Sequence, residues 1–193
     1  MVRNTAREIA AHLSYELSFT DKTVDELLKE RLTPEAFAEL AEEDPLYADA
    51  PNAKQAAYIT RLVKGVDEHA AELDGYIAKY SKGWKFSRIP LVASAIMRVA
   101  MYEILYMEDI PNGAAINEAV EEAKAQGYKP GVYASTQWYR KRVDLNSLKK
   151  YTIWNAHYGV GKSPIDCALW QGTCTARLPG YKGDMDVNIS YIG

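Results

Sequence analysis

A mainly all-α fold followed by a short β-rich segment is the architecture that this 193-residue sequence predicts. Three observations carry it. Apolar residues recur at three- and four-residue steps through the first two thirds of the chain, most strongly between Ser94 and Gln126. No strand-like alternation occurs before residue 130, after which short β-prone runs are separated by Gly and Pro. The charge also changes sign: residues 1–128 hold 14 Lys+Arg against 22 Asp+Glu, and residues 129–193 hold 9 against 4. Such a shift places a domain boundary at Lys129, giving segments 1–128 and 129–193.

In chain order, residues 3–19 form an amphipathic helix, with Thr5 and Glu8 fitting a capping box and Ile9, Leu13, Leu17 and Tyr15 turned inward. Arg3 and Arg7 stand at its start, against the dipole preference, which fits either solvated arginines or an anion to be met there. Residues 23–43 are helical again, with Thr33-Pro34 opening the second half. EEDPLYADAPN is a loop. One long helix then spans residues 53–80, with Tyr58, Leu62, Val66, Leu73 and Ile77 inward; Gly65 within it implies close packing against a neighbour. Trp84 and Ile89 pin the next connection, and Pro90 opens a helix that is apolar on most of its surface. Such a helix belongs in the middle of a bundle, so its charges Arg98 and Glu103 need partners. Pro111 and the Asn112-Gly113 turn form an elbow. An amphipathic helix follows, with Ile116, Ala119, Val120 and Ala123 on one stripe. This makes six or seven helices.

Past Gly127 the expected elements are a strand in PGVYAS, a basic linker or helix in TQWYRKRVDLNSLKKY and a strand in TIWNAHY. Two strands about a tight turn at Gly172 and a last strand in DMDVNISYI complete the segment, so that strands replace helices entirely.

Composition excludes several classes. No apolar run approaches the roughly 18 residues of a membrane span, and the N-terminus lacks a signal-peptide core, so a cytoplasmic protein without a membrane partner is expected. Cys167 and Cys174 are too few for a disulfide scaffold; facing each other across a hairpin, they would remain thiols in a reducing compartment. His12, His69 and His157 are scattered without metal-ligand spacing, and neither a metal nor a cofactor is expected.

Four blocks carry a family resemblance: TAREIAAHLSYEL, YITRLVKGVDEHAAELDGYI, a tryptophan followed by a basic, proline-bounded link, and IMRVAMYEILYMEDIPNGAAINEAVEEAK. Over residues 3–128 the chain resembles the NusB family of bacterial transcription antitermination factors. The resemblance implies two three-helix bundles and a non-enzymatic role: binding boxA-type RNA with NusE, a ribosomal protein, in the RNA polymerase elongation complex. Carried over by position, the RNA-binding residues are Arg3, Arg7, Tyr15, Tyr58 and Lys124. Arginines neutralise phosphates and tyrosines stack on unpaired bases. Arg98, Glu103 and Glu118 also match and are assigned to structure. The family's closing helix is missing.

In its place GVYAS, IWNAHY, LWQ, TARLPG and DVNISY resemble the C-terminal part of glycoside hydrolase family 25 lysozymes, over about residues 127–193. That resemblance implies the last strands of an α/β barrel that cleaves peptidoglycan. Asp186 alone matches an active-site carboxylate, and glycoside hydrolysis needs two. Trp154, Tyr158, Trp170 and Gln171 would line a sugar cleft in a complete barrel. The chain therefore reads as a chimera of two partial families. An RNA-binding antitermination factor is the first expectation, an inactive lysozyme remnant the alternative, and a merely folded scaffold the third.

Overall fold

The structure, a computed structural model, describes residues 1–81, 85–142 and 145–192. Trp84, expected to pin a connection, lies outside them. The chain forms two compact units, Met1–Pro111 and Asn112–Gly193. The division falls one helix ahead of Lys129, where charge and composition change.

The first unit holds six α-helices among the described residues: α1 (Arg3–Glu16), α2 (Val24–Arg31), α3 (Pro34–Leu40), α4 (Ala53–Glu68), α5 (Ala70–Tyr80) and α6 (Leu91–Tyr106). Three local signals act as the sequence implies. Thr23 and Glu26 close a capping box on α2, Thr33 caps α3 with Pro34 in its first turn, and Asn52 and Gln55 close a second box on α4. The box expected at Thr5 and Glu8 does not form. Helix α1 already begins at Arg3, and its N-cap, Val2, contributes no side-chain hydrogen bond.

The long helix expected over 53–80 is broken at His69, where φ −104° and ψ 10° leave the helical region. The break is soft, because the His69 N–H still donates to the Gly65 carbonyl at 3.1 Å. Gly65 is tight, as its position implied: a Cβ there would overlap the Tyr102 ring. That ring is stacked on Tyr106, with centroids 5.1 Å apart.

Helix α6 takes the central place that its apolar surface demanded, packing on α1, α4 and α5. Ala95, Val99 and Ala100 join Ile9, Leu13, Ile59, Leu62, Val63, Leu73 and Ile77 in the core. Arg98 makes two hydrogen bonds to Asp74, at 2.6 and 2.8 Å. Tyr47, in the segment read as a loop, is instead buried in a 3-10 turn and packs edge-on against Phe37 at 5.5 Å.

The second unit begins with α7 (Asn112–Ala125), so Asn112 and Gly113 are its first turn rather than a reverse turn. Then come β1 (Gly131–Ser135), α8 (Thr136–Arg142), α9 (Leu145–Leu148), β2 (Thr152–Ala156), β3 (Leu169–Ala176) and β4 (Met185–Ser190). Helices thus persist after residue 130. The sheet order is β1-β2-β3-β4, with β1–β2 and β2–β3 parallel and β3–β4 antiparallel. The hairpin expected at Gly172 is absent. Residues 169–176 are one strand, with register shifts between Gln171 and Thr173 and between Thr173 and Ala176. Cys167 and Cys174 are free thiols.

One face of the sheet is covered by helices. Val132 and Ile153 are buried in one cluster with Val120 of α7, Tyr139 of α8 and Leu148 of α9, and Ile116 packs against it. The apolar stripe of α7 therefore has its cover within the second unit. Strand alternation sends Tyr133, Trp154 and Gln171 to the other face.

Candidate nucleic-acid interface

The residues implied as RNA contacts separate into three environments. Arg3 is exposed at the start of α1. Tyr15, about three turns further along the same helix, is half-buried and meets Phe19 edge-on at 4.8 Å; Phe19 itself is exposed. Lys124 is exposed in the last turn of α7, in the second unit, one turn beyond Glu121.

Arg7 does not share the exposure of Arg3. Its side chain is 2% exposed, and its Nε donates to Oε2 of Glu103 at 2.8 Å. The burial is at odds with a direct phosphate contact. The cause is the helical repeat: the same turn of α1 buries Ala6, Ile9 and Ala10, so position 7 faces α6.

Glu103, fully buried on α6, also accepts from the Tyr58 hydroxyl of α4 at 2.7 Å. One carboxylate thus joins α1, α4 and α6. Burial first, then the Glu103 charge and hydrogen bond, push the Tyr58 phenol far above its ordinary value, against weaker opposition from Arg7 and Arg3. Tyr58, expected inward, is half-buried: its hydroxyl is anchored while part of the side chain stays at the surface. The arrangement anchors a tyrosine hydroxyl and leaves part of the side chain at the surface, which suits stacking of an unpaired base. Arg98 and Glu103 are held in ion pairs, and Glu118 is buried on α7.

In the second unit Trp170 and Gln171 are buried, Trp154 is half-buried and Tyr158 is exposed. Trp154 donates Nε1–H to Asn188 Oδ1 at 2.9 Å, and Trp170 donates to the His157 carbonyl at 2.8 Å. Asp186 is exposed on β4. Among the described residues no group of His, Cys, Asp and Glu could hold a metal ion, and no helix is long and apolar enough to cross a membrane.

Reading the sequence missed Tyr133, Arg140, Lys141 and His157, which meet at the carboxyl ends of β1 and β2. The available signal was the basic run in TQWYRKR, which was compatible with a linker.

Residues 4–132 match the model of the NusB family. The chain is 36% identical over 138 residues to "Transcription antitermination protein NusB" of Natranaerobius thermophilus, covering 68% of this chain and 91% of that protein. The identically named protein of Acetivibrio thermocellus is 42% identical over 124 residues, covering 64% and 76%. That of Bacillus subtilis is 37% identical over 127 residues, covering 66% and 83%. Among solved structures, the CTP1L endolysin superimposes with a TM-score of 0.39 at 16% identity, over 51% of this chain and 42% of that one.

Proposed function

The chain belongs to the NusB family, and on that premise we propose that it is a transcription antitermination factor that binds boxA-type RNA. The first unit carries the interface. Arg3 neutralises a phosphate at the start of α1, while Tyr15 and Tyr58 offer rings to unpaired bases. Lys124, on the second unit, is a separate cation for RNA in this reading. Arg7 acts one step back, as a positioning residue, holding Glu103 and through it the Tyr58 hydroxyl. NusE and the RNA polymerase elongation complex are the protein partners in this reading, and the cytoplasm is its compartment.

The observation that carries the reading is the Tyr58–Glu103–Arg7 clasp, in a unit whose first helix opens with an exposed Arg3. It anchors a half-buried tyrosine at the surface of a unit that is otherwise acidic. Anisotropy titration of a boxA-type RNA against a scrambled RNA, with and without NusE, tests it. Preference for boxA that weakens as salt rises supports the proposal; equal affinity for both RNAs, under either condition, sinks it.

We read residues 129–193, the part of the second unit that follows α7, as an incomplete segment of the glycoside hydrolase family 25 fold, placed where the NusB family has its closing helix. Its motifs lie on successive strands, GVYAS on β1, IWNA on β2, LWQ on β3 and DVNIS on β4. Asp186 alone matches an active-site carboxylate of that family, and no glutamate follows Glu122 in the sequence. Since the reaction needs an acid and a second carboxylate flanking the bond, this unit does not cleave glycan. Clearing of a peptidoglycan suspension that is lost in Asp186→Asn would overturn that statement.

A further inference from the structure

The second unit contains a cleft of about 610 Å³ at the carboxyl ends of β1 and β2. Its walls carry Tyr133 and Ser135 from β1, Arg140 and Lys141 from α8, and His157 and Tyr158 just past β2. Crevices at the carboxyl ends of parallel strands are the usual ligand position in α/β sheets. The volume falls within the range of small-ligand sites.

We propose that this cleft is a second nucleic-acid site, which holds a base and its phosphate from single-stranded RNA without sequence preference. Three features decide the ligand class. Tyr133 and Tyr158 are 52% and 46% exposed, so each presents ring surface to solvent. Both hydroxyls donate to Oε1 of Gln171, Tyr158 at 3.0 Å, and Gln171 is 2% exposed. A buried amide therefore fixes two exposed rings before any ligand arrives, which lowers the ordering cost of binding.

Charge completes the choice. Arg140 and Lys141 are exposed in the last turn of α8, and among the described residues no Asp or Glu lines the cleft. The unit as a whole carries 10 Lys+Arg against 7 Asp+Glu, opposite in sign to the first unit's 13 against 19. Aromatic faces beside a guanidinium and an ammonium, with no carboxylate, match the alternation of base and phosphate in a single strand. A neutral glycan would stack on the tyrosines but has no use for two cations. This site goes beyond the boxA reading, which rests on α1 and α4, and would supply affinity rather than sequence choice.

The test uses the full chain and a labelled oligouridylate. Photo-crosslinking is expected to mark peptides containing Tyr133 or His157-Tyr158. Arg140→Gln with Lys141→Gln is expected to weaken binding at least about fivefold and to flatten the log–log salt slope by about 1.4, two single-strand phosphate contacts. Tyr158→Leu should weaken binding roughly tenfold. A cooperative urea transition retained in each variant reports that the unit still folds. Crosslinks confined to residues 1–111, an unchanged slope in the double variant, or saturation of the cleft by a neutral chitooligosaccharide at lower concentration would each overturn the proposal. Arg3→Glu separates it from the boxA reading: the variant should bind boxA-type RNA more weakly while keeping its crosslinks at Tyr158, and a parent chain that shows no boxA preference yet crosslinks at Tyr158 defeats only the boxA reading.

Discussion

Arg7 of α1 and Glu103 of α6 form an ion pair of 2.8 Å with both side chains shielded from solvent. Their positions are 96 residues apart in sequence. Removing one partner from such a pair strands the other charge. Glu103→Leu should therefore cost about 3–5 kcal/mol in denaturant unfolding of the first unit. The double variant Arg7→Met, Glu103→Leu should recover much of that loss, since an apolar replacement of similar volume is often neutral. A double variant as unstable as the single would show that the clasp is more than an offset of buried charges.

The pH dependence follows from three phenols. Burial raises Tyr47 to about 12 and pushes Tyr58 and Tyr139 well above their ordinary value of about 10. Above pH 10 the unfolded chain has lost these protons while the folded chain keeps them. Folding then binds more protons than unfolding, so stability falls as pH rises. Below pH 10 these groups contribute no slope. The tyrosinate absorbance should show a late-titrating fraction that appears only together with loss of helix by circular dichroism. Complete titration near pH 10 with the helices intact would contradict the burial.

Gly65 and Tyr102 make a third test. Alanine at an ordinary interior helix position gains about 1 kcal/mol over glycine. Here its Cβ would meet the Tyr102 ring, and that ring is itself held beside His69 and Tyr106. Gly65→Ala should destabilise by about 1–3 kcal/mol, and adding Tyr102→Leu should relieve it in a double-mutant cycle. A stabilised Gly65→Ala protein would mean that the ring moves aside freely.

What the sequence made legible was local. Periodicity located the helices of the first unit, and Thr33-Pro34 marked the start of α3 because capping is decided within four residues. The break at His69 has no Gly or Pro to announce it, since one residue leaves the helical region while its N–H still bonds to Gly65. Gly172 suggested a hairpin because glycine marks turns. Here it lies beside the Trp170 ring, 3.4 Å from where its Cβ would be, and the strand runs through it. The pairing of Arg7 with Glu103 was invisible for a different reason: Glu103 needed a partner, but nothing local named Arg7, whose place at the start of α1 fits solvent or an anion. Composition changes at Lys129 while the compact units divide ahead of α7, because a helix can pack with a sheet whose charge and residue usage differ from its own.

Val120 tests that packing. It is 7% exposed on α7 and shares a cluster with Val132, Tyr139, Leu148 and Ile153, against which Trp138 also packs. Val120→Ala should cost about 1–3 kcal/mol and shift the transition reported by tryptophan near-UV signals of the sheet. A transition that moves only in far-UV helix signal, with the tryptophan signal unchanged, would place α7 outside the sheet's cooperative unit.

The RNA surface of the first unit is tested most directly by boxA-type RNA affinity measured from 50 to 200 mM salt for the parent chain, Arg3→Gln and Arg7→Lys. If Arg3 meets a phosphate and Arg7 only positions, Arg3→Gln flattens the log–log slope by about 0.7. Arg7→Lys would then leave the slope unchanged while altering affinity through Tyr58. A slope untouched by Arg3→Gln, or flattened by Arg7→Lys instead, would contradict the assignment.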